Sequence, residues 1–246
     1  MEQYFAILSR CPLFSGVDQE EMGLMLGCLG AREREIPKGE PVFLEGDPAG
    51  FIGVVLEGAV QVVRDDYYGS RSVLTVVEPG EIFGEAFSCA GVETMPVSAF
   101  ALKGSKVLWL DCKRMLTVCS NACQFHNRMV SNLLRAVARK NLALSRKIQF
   151  MSQRTTKEKI MAYLLDQAKT QGSPEFTIPH DRQGLADFLG VERSAMSAEI
   201  GKLKKAGVLD CKGSWFSLKD TGGEVFKNIL QLIYAQHIVT LVIHFP

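Results

Sequence analysis

The spacing of hydrophobic positions changes about halfway along the chain. In the first half, short runs of Val, Ile, Leu and Phe are each closed by a glycine. Four of these runs, PVFLEG, FIGVVLEG, AVQVVRDDYYG and SVLTVVEPG, end at Gly46, Gly58, Gly69 and Gly80. Runs closed by turn residues at intervals of about a dozen residues are typical of an antiparallel sandwich or barrel. We therefore predict an antiparallel β-domain, and assign residues 1–122 to it.

Helical spacing follows and predicts one long amphipathic helix. No proline interrupts residues 123–151, and apolar side chains recur every three or four positions. They are Met129, Val130, Leu133, Leu134, Val137, Leu142, Leu144, Ile148 and Met151. Asn127, Asn132 and Asn141 dilute this stripe. A helix of this length, roughly 40 Å, favours packing against a second copy as a coiled coil. We assign residues 123–152 to a dimerisation helix.

A pair of short helices is predicted within residues 153–219. A helix starting at Thr156 precedes it, with Glu158 and Lys159 in its first turn, and QGSPEFTIP is then predicted to be a loop. The stretch DRQGLADFLGVERSAMSAEIGKL then fits a helix-turn-helix. Its predicted core consists of Leu185, Ala186 and Leu189 on the first helix and Met196, Ile200 and Leu203 on the second, with Gly190 at the bend.

A hairpin is predicted after the two helices. VLDCKGSWFSL alternates around a turn at Lys212 and Gly213, as the wing of a winged helix does. The fold class is therefore α+β, with an antiparallel β-domain, a long dimerisation helix and a winged helix-turn-helix. Residues 220–246 form an extension that predicts a further helix and an edge strand, and we assign it no function.

Composition is that of an ordinary globular protein, with 47% hydrophobic and 22% charged residues among 246, enough for two cores. The amino terminus carries no secretory signal pattern. The longest apolar run, IVTLVIHFP, is about half of the ~20 residues that a membrane-spanning helix needs. The seven cysteines, an odd number at irregular spacing, favour free thiols or ligands over disulfides. We expect a cytoplasmic protein without a membrane segment.

The net charge of +1 conceals an uneven distribution. Residues 1–118 carry 10 basic and 17 acidic side chains, residues 119–152 carry 6 and 0, and residues 153–219 carry 11 and 8. A local positive field favours a polyphosphate partner. We therefore prefer nucleic acid as the partner over a merely solvated helix face.

These segments together resemble the Crp/Fnr family of bacterial transcription regulators, from Phe5 to Leu218. The glycines that match the ladder of its β-roll, which is jelly-roll-like, are Gly46, Gly58, Gly69, Gly80 and Gly84. GEIFGEAF is similar to its pocket signature, and RQ.LA..LG..R is the shared core of its helix-turn-helix. The resemblance implies a homodimer whose β-roll senses a small effector and whose carboxyl-terminal domain binds double-stranded DNA, with RNA polymerase as a further partner. The sequence identifies no cofactor.

The resemblance also implies which residues meet DNA, because the second helix of this motif enters the major groove. Arg193, Ser194 and Ser197 are the candidates for reading bases. The candidates for phosphate contacts are Arg182, Lys202, Lys204, Lys205 and Lys212. Family members place a glutamate at Ser194 and often an arginine at Ala198, while Glu199 stands at a usually apolar position. We therefore expect an operator that differs from the usual one.

The same resemblance implies an effector pocket between the roll and the long helix. Its candidate residues are Gly84, Glu85, Ala86, Met95 and Pro96. In binders of cyclic AMP the glutamate takes the ribose hydroxyl, and an arginine with a serine or threonine neutralises the phosphate. That pair falls on Met95 and Pro96, and RKNLALSR lacks the adjacent Thr and Ser that meet adenine. A buried phosphate would lack its partners, so we expect a different effector.

A metal or redox sensor is the alternative. Cys112, Cys119, Cys123 and His126 are separated by seven, four and three residues, so on a continuous helix they would share one face. Thiolates and an imidazole could bind zinc or an iron centre, or Cys119 and Cys123 could oxidise. The spacing is not a known cluster motif, and buried cysteines are often structural.

Two other classes of protein are less well supported. The motifs G-x-x-x-x-G-K-[ST], G-x-S-x-G and H-E-x-x-H are absent, so we expect no catalysis. A protein-interaction module that does not bind DNA would require the second helix of the motif to be covered.

Overall fold

The structure, a computed structural model, describes residues 2–65, 67, 71–117 and 124–219. The chain forms two compact units, the first ending at Lys140 and the second beginning at Asn141. The long helix therefore contributes residues to both units. Predictions for Gly69, Cys119, Cys123 and residues 220–246 lie outside the described residues. In the described part of the chain, no helix combines the length and the apolar character needed to cross a membrane.

The first unit begins with helices that the sequence analysis did not predict. They are α1 (Phe5–Leu8) and α2 (Gln19–Cys28). A capping box starts α2, because the Asp18 carboxylate accepts a hydrogen bond from the Glu21 amide at 2.8 Å and the Glu21 side chain accepts one from the Asp18 amide. Met22, Met25 and Leu26 then bury the inner side of α2 in the core of the roll.

Two four-stranded antiparallel sheets form the predicted β-roll. Their strands are β1 (Arg32–Ile36), β2 (Pro41–Phe43), β3 (Phe51–Glu57), β4 (Val60–Asp65), β5 (Arg71–Val77), β6 (Ile82–Phe83), β7 (Ser98–Ala101) and β8 (Ser105–Asp111). One sheet has the order β1-β8-β3-β6 and the other β2-β7-β4-β5. Gly53 on β3 pairs with Phe83 on β6, and a Cβ there would lie 2.2 Å from the Phe83 ring. Only glycine fits at this crossing of strand and aromatic ring.

Three further helices complete the first unit and lead into the second. They are α3 (Glu85–Cys89), α4 (Cys112–Leu116) and α5 (Gln124–Met151). The predicted apolar stripe of α5 divides between two faces. Met129 and Leu133 are buried in the core of the roll, whereas Leu134, Leu144 and Ile148 are exposed. One face of α5 therefore packs against its own domain, and the other face is available to a partner.

The second unit has the predicted winged helix-turn-helix. Its elements after α5 are α6 (Thr156–Gln171), β9 (Glu175–Thr177), α7 (Arg182–Leu189), α8 (Arg193–Lys205), β10 (Leu209–Lys212) and β11 (Trp215–Leu218). The hairpin of β10 and β11 turns at Gly213, as predicted, but β9 joins it as a third strand within the predicted loop QGSPEFTIP. The cap of α6 is Thr155, one residue before the predicted start, and it shares a capping box with Glu158.

All six predicted core residues of the helix-turn-helix are buried. They are Leu185, Ala186 and Leu189 on α7 and Met196, Ile200 and Leu203 on α8. Gly190 ends α7 with φ of 59°, a left-handed conformation that favours glycine. The burial of these side chains fixes which face of α8 remains outside.

Candidate functional site

The exposed start of α8 brings together the three residues predicted to read bases. Met196 and Ile200 turn the opposite face of the helix into the core. Arg193, Ser194 and Ser197 are all exposed. The helix therefore presents one cation and two hydroxyl groups within its first turns, a set of groups that can contact base edges in a major groove.

Glu192, which the sequence analysis did not single out, caps this helix. Its carboxylate accepts a hydrogen bond from the Ala195 amide at 2.8 Å and another from the Ser194 hydroxyl. The Ser194 hydrogen bond is the main reason why the pKa of Glu192 is lowered. A negative charge therefore stands beside Arg193, and the Ser194 hydroxyl is oriented. The signal in the sequence was a glutamate at a position where Ser, Thr, Asp or Asn is the usual cap.

Four predicted phosphate-binding lysines lie on the surface of the second unit. Lys205 and Lys212 are exposed. Lys202 forms an ion pair with Glu199 at 2.9 Å, and Lys204 forms one with Asp210 at 2.6 Å. The partner carboxylate raises the pKa of Lys204. Both lysines keep more than half of their side chains exposed, and ion pairs at a protein surface are weak, so these pairs leave the lysines available to a phosphate group.

Arg182 does not join these lysines. Its guanidinium lies over the Phe216 ring, 5.0 Å from the centroid, and its Nη2 donates a hydrogen bond to Cys211 Sγ at 3.2 Å. Its Nη1 is buried and has no partner among the described residues. Arg182 thus ties α7 to the wing, and this inward position differs from the phosphate contact that we predicted for it.

A second candidate site is a cavity of about 410 Å³ in the first unit. It lies between the sheet that carries β4 and β5, the segment from β6 to α3, and the α5 helix. Gly84, Glu85 and Ala86, three of the five candidate pocket residues, line it. Met95 is instead buried in the core of the roll and Pro96 is exposed, and neither lines the cavity. The backbone explains this, because Met95 exchanges hydrogen bonds with Gly46 and Asp47 and its side chain packs inward.

The cavity contains an ion pair that the sequence did not predict. Glu85 is only 4% exposed, and its Oε1 lies 2.7 Å from Nζ of Lys140 on α5. Lys140 also donates a hydrogen bond to the Ile82 carbonyl at 2.8 Å. The glutamate that would meet a ribose hydroxyl in a cyclic AMP binder therefore already has a cationic partner within its own chain.

The rest of the cavity wall is mostly apolar. The apolar side chains lining it include Val62, Leu74, Val76, Phe83, Phe87 and Ala136. Glu81 accepts a hydrogen bond from the Glu78 amide at 2.8 Å, which engages its carboxylate in a turn. Arg139 lines the cavity as an exposed cation for which the described residues offer no ion-pair partner. The cavity thus combines an apolar body with the Glu85–Lys140 ion pair, the Glu81 carboxylate and the Arg139 cation.

The metal-site hypothesis placed Cys112 and His126 on one continuous helix. In the structure they lie on two separate helices. Cys112 starts α4, Thr117 after it has extended backbone, and α5 begins only at Gln124. His126 Nε2 lies 3.0 Å from the Arg114 carbonyl oxygen. Among the described residues, no group of three or more His, Cys, Asp or Glu side chains could hold a metal ion.

Cys112 instead has a cysteine neighbour that the sequence analysis missed, Cys89 at the end of α3. Each of the two thiols influences the pKa of the other. Burial raises the pKa of Cys112 to about 12, and burial also raises the pKa of Cys89. Both groups are therefore neutral thiols near pH 7, and neutral thiols are poor metal ligands and slow nucleophiles.

Two family profiles match the chain. Residues 33–122 match the cyclic nucleotide-binding domain, and residues 158–223 match the Crp-like helix-turn-helix domain. The first match covers most of the β-roll, including the cavity wall from β4 to α3. The second covers α7, α8 and the wing.

Similar proteins are transcription regulators. The cyclic AMP receptor protein of Thermus thermophilus is 28% identical over 199 residues, which are 80% of this chain and 88% of the relative. The transcriptional activator protein anr of Pseudomonas aeruginosa is 24% identical over 195 residues, 77% of this chain and 78% of the relative. A solved structure of CLP, a c-di-GMP responsive global regulator in Xanthomonas campestris, covers 80% of this chain and 98% of that chain, at 21% identity and a TM-score of 0.52. The last likeness concerns the fold alone.

Proposed function

Because the chain belongs to the Crp/Fnr family of transcription regulators, we propose that it binds specific DNA sequences as a homodimer and responds to an effector in its β-roll. The observation that carries this proposal is the orientation of α8. Its apolar side is buried in its own domain, while Arg193, Ser194 and Ser197 are exposed. In this proposal the DNA-binding domain comprises residues 153–219.

Base recognition is assigned to the first turns of α8. Arg193 donates two hydrogen bonds to guanine O6 and N7, a contact worth about 1–3 kcal/mol of discrimination. Ser197 contacts a neighbouring base edge. The Ser194 hydroxyl donates a hydrogen bond to the Glu192 carboxylate. Any contact that Ser194 makes with a base therefore lies next to this carboxylate. An exposed carboxylate at this position favours a cytosine amino group over a phosphate, which supports an operator different from the usual one.

Phosphate contacts are assigned to the four exposed lysines. Lys205 and Lys212 bind phosphate groups directly, and Lys202 and Lys204 do so after exchanging their carboxylate partners. Such contacts fix the position of the protein on the duplex without reading the sequence. Arg182 is left out of this set because its guanidinium is engaged with Phe216 and Cys211.

The effector is proposed to occupy the cavity between the roll and α5, and to be something other than a cyclic nucleotide. Glu85 is paired with Lys140, and neither Met95 nor Pro96 offers a phosphate a charge. The name of the Thermus relative makes cyclic AMP the competing candidate. A compact apolar molecule with one acidic group suits the apolar wall and the cation of Arg139 better, because a cavity of this size buries most of a small ligand.

The alternatives receive less support. A redox or metal sensor would need thiolates, and the pKa values of Cys89 and Cys112 are raised. A protein-interaction module would need α8 to be covered, whereas its first turns are exposed. RNA polymerase as a partner and a cytoplasmic location follow from the proposed role in transcription.

Salt dependence tests the proposed DNA contacts. Affinity for a labelled duplex is measured by fluorescence anisotropy over a series of salt concentrations. The logarithm of the affinity is expected to fall linearly with the logarithm of the salt concentration. Replacing Lys205 and Lys212 by alanine lowers the slope by about 2, whereas Lys38→Ala, on the β-roll, leaves it unchanged. An affinity that does not depend on salt would contradict the proposal.

A further inference from the structure

One row of side chains along α5 has the spacing of a coiled-coil seam. Its members are Val130, Leu134, Val137, Asn141, Leu144, Ile148 and Met151, separated alternately by four and three residues. All of them are exposed except Val137, which is partly buried. We call this row the α5 seam. Alternating steps of three and four place its members at the a and d positions of heptads, where two helices meet.

The α5 seam is distinct from the side of the helix that packs on the roll. Met129, Leu133 and Ala136 bury that inner side. Asn132 belongs to it as well, because its amide donates hydrogen bonds to the carbonyls of Leu13 at 3.0 Å and Ser15 at 2.9 Å. The seam is left with large exposed apolar side chains, among them Leu134 at 68% and Leu144 and Ile148 at 58%. This is too much apolar surface in one regular row for a helix face that only meets water.

Asn141 is the one polar member of the seam. It occupies an a position, between Val137 and Leu144. Its side-chain oxygen accepts only a long hydrogen bond, 3.4 Å from the Ser145 hydroxyl. No hydrogen bond from its amide nitrogen occurs within the described residues. An asparagine at an a position is known to specify the register and the number of helices in a coiled coil, at some cost in stability.

We propose that Asn141 sets the register of the homodimer by pairing with Asn141 of the partner subunit. The amide group both donates and accepts, so two facing asparagines satisfy each other. A slip of one heptad would set each Asn141 against Leu134 or Ile148 of the partner subunit and leave two amides unpaired in an apolar layer. These unpaired groups are expected to lower the population of the slipped dimer, relative to the aligned dimer, by roughly tenfold or more. Asn127, two heptads earlier, would pair in the same symmetric register.

The register matters because this inference rests on the proposed function. A slip of one heptad moves one helix along the other by about 10 Å, at 1.5 Å per residue. Dimeric helix-turn-helix proteins bind half-sites related by two-fold symmetry. A slipped dimer loses that symmetry, so its two α8 helices cannot both reach their half-sites. Asn141 would thus lower the stability of the dimer while favouring the symmetric arrangement that fits DNA.

The test compares Asn141→Leu with Arg135→Leu, an exposed position on the same helix away from the seam. Dimer dissociation is measured by sedimentation on the full chain, and affinity for the palindromic duplex selected by the unaltered protein is measured by anisotropy. Asn141→Leu is expected to tighten the dimer roughly tenfold or to produce larger oligomers, while DNA affinity per dimer falls. Leu144→Asn, which adds a polar layer, is expected to weaken the dimer.

The outcomes separate this inference from the function on which it rests. If Asn141→Leu behaves like Arg135→Leu in both measurements, Asn141 has no role in the interface. A tighter dimer with unchanged DNA affinity would overturn the role in register. A wild-type protein that is monomeric while bound to DNA would overturn the dimeric function itself. Circular dichroism on each variant establishes that the helices are retained.

Discussion

The ammonium group of Lys140 on α5 lies 2.7 Å from the carboxylate of Glu85 at the start of α3. This pair joins the signature segment of the cavity to the long helix that would form the dimer. The carboxylate is buried, whereas the Lys140 side chain is 54% exposed. A ligand entering the cavity therefore meets a contact between the sensing and the dimerising elements, and an acidic ligand would compete with Glu85 for Lys140.

The Glu85–Lys140 pair is expected to stabilise the first unit through the buried carboxylate. Lys140→Met leaves Glu85 buried without its cation, and we expect a loss of about 1–3 kcal/mol in the free energy of unfolding. In the background of Glu85→Gln, which has no buried charge to leave unpaired, the same change should cost much less. Urea unfolding of the four proteins of this cycle measures the coupling. If Lys140→Met lowers the free energy of unfolding equally in both backgrounds, the ion pair does not contribute to stability.

The cavity is expected to prefer an apolar acid to a cyclic nucleotide. Octanoate and 4-phenylbutyrate should raise the melting temperature, because a ligand that binds only the folded state stabilises it. Their uncharged amides and cyclic AMP should have little effect at the same concentration. Arg139→Gln should weaken acid binding about tenfold or more by removing a charge-assisted contact.

The control for this prediction is Arg135→Gln, which removes an arginine of the same helix that does not line the cavity. It should leave acid binding unchanged. Equal binding of acids and amides, or a larger shift with cyclic AMP than with either acid, would refute the proposed chemistry of the cavity while leaving DNA binding untouched.

Arg193 and Lys212 are expected to affect DNA binding in different ways. Arg193→Ala should reduce discrimination at one base pair by about 1–3 kcal/mol. Lys212→Ala should weaken binding equally for all sequences and lower the salt slope by about 1. Competition between the selected duplex and single-base variants distinguishes the two. A uniform loss for Arg193→Ala would mean that this arginine contacts the backbone only.

His180 is expected to make the second unit less stable in mild acid. Its ring stacks on Phe188 at 4.9 Å, and burial lowers its pKa, although Asp181 opposes the shift and Lys147 adds to it. Above the ordinary value of about 6.5, both the folded and the unfolded states are neutral. Below it the unfolded state takes up the proton more readily, so stability falls until the lowered pKa of the folded state is passed.

Denaturant unfolding between pH 7.5 and pH 5, in steps of about half a unit across the range where histidine titrates, measures this effect. His180→Phe should reduce the pH dependence of the free energy of unfolding of the second unit. A variant with an unchanged pH profile would assign that dependence to other groups.

Local patterns in the sequence predicted the strands and the helix-turn-helix, because each depends on neighbours close along the chain. The burial of Met196, Ile200 and Leu203 follows from helical spacing alone. β9 was missed because a three-residue strand exists only through its pairing with β11, about forty residues later. The predicted helix start at Thr156 agrees with the first residue of α6, and the capping residue is Thr155 before it.

The sites were harder to predict because they depend on distant residues. Nothing in the local sequence connects Lys140 with Glu85, since 55 residues separate them. Arg182 carries a charge that suits phosphate, yet the approach of Phe216 turns it inward. The metal-site hypothesis assumed one continuous helix through Cys112 and His126, and the extended backbone at Thr117 breaks it. In each case the role of the residue depended on contacts with residues distant in the sequence, which the residue type alone does not reveal.

Selection of duplexes from a randomised pool by the purified full-length protein tests the central claim most directly. Two copies of α8 presented by a symmetric dimer should enrich inverted repeats whose half-sites are centred about one helical turn, 10–10.5 base pairs, or a multiple of that spacing apart. Arg193→Ala should lose preference at one position of each half-site. Enrichment of single, unrepeated sites, or no enrichment above the starting pool, would contradict a dimeric regulator that reads DNA through α8.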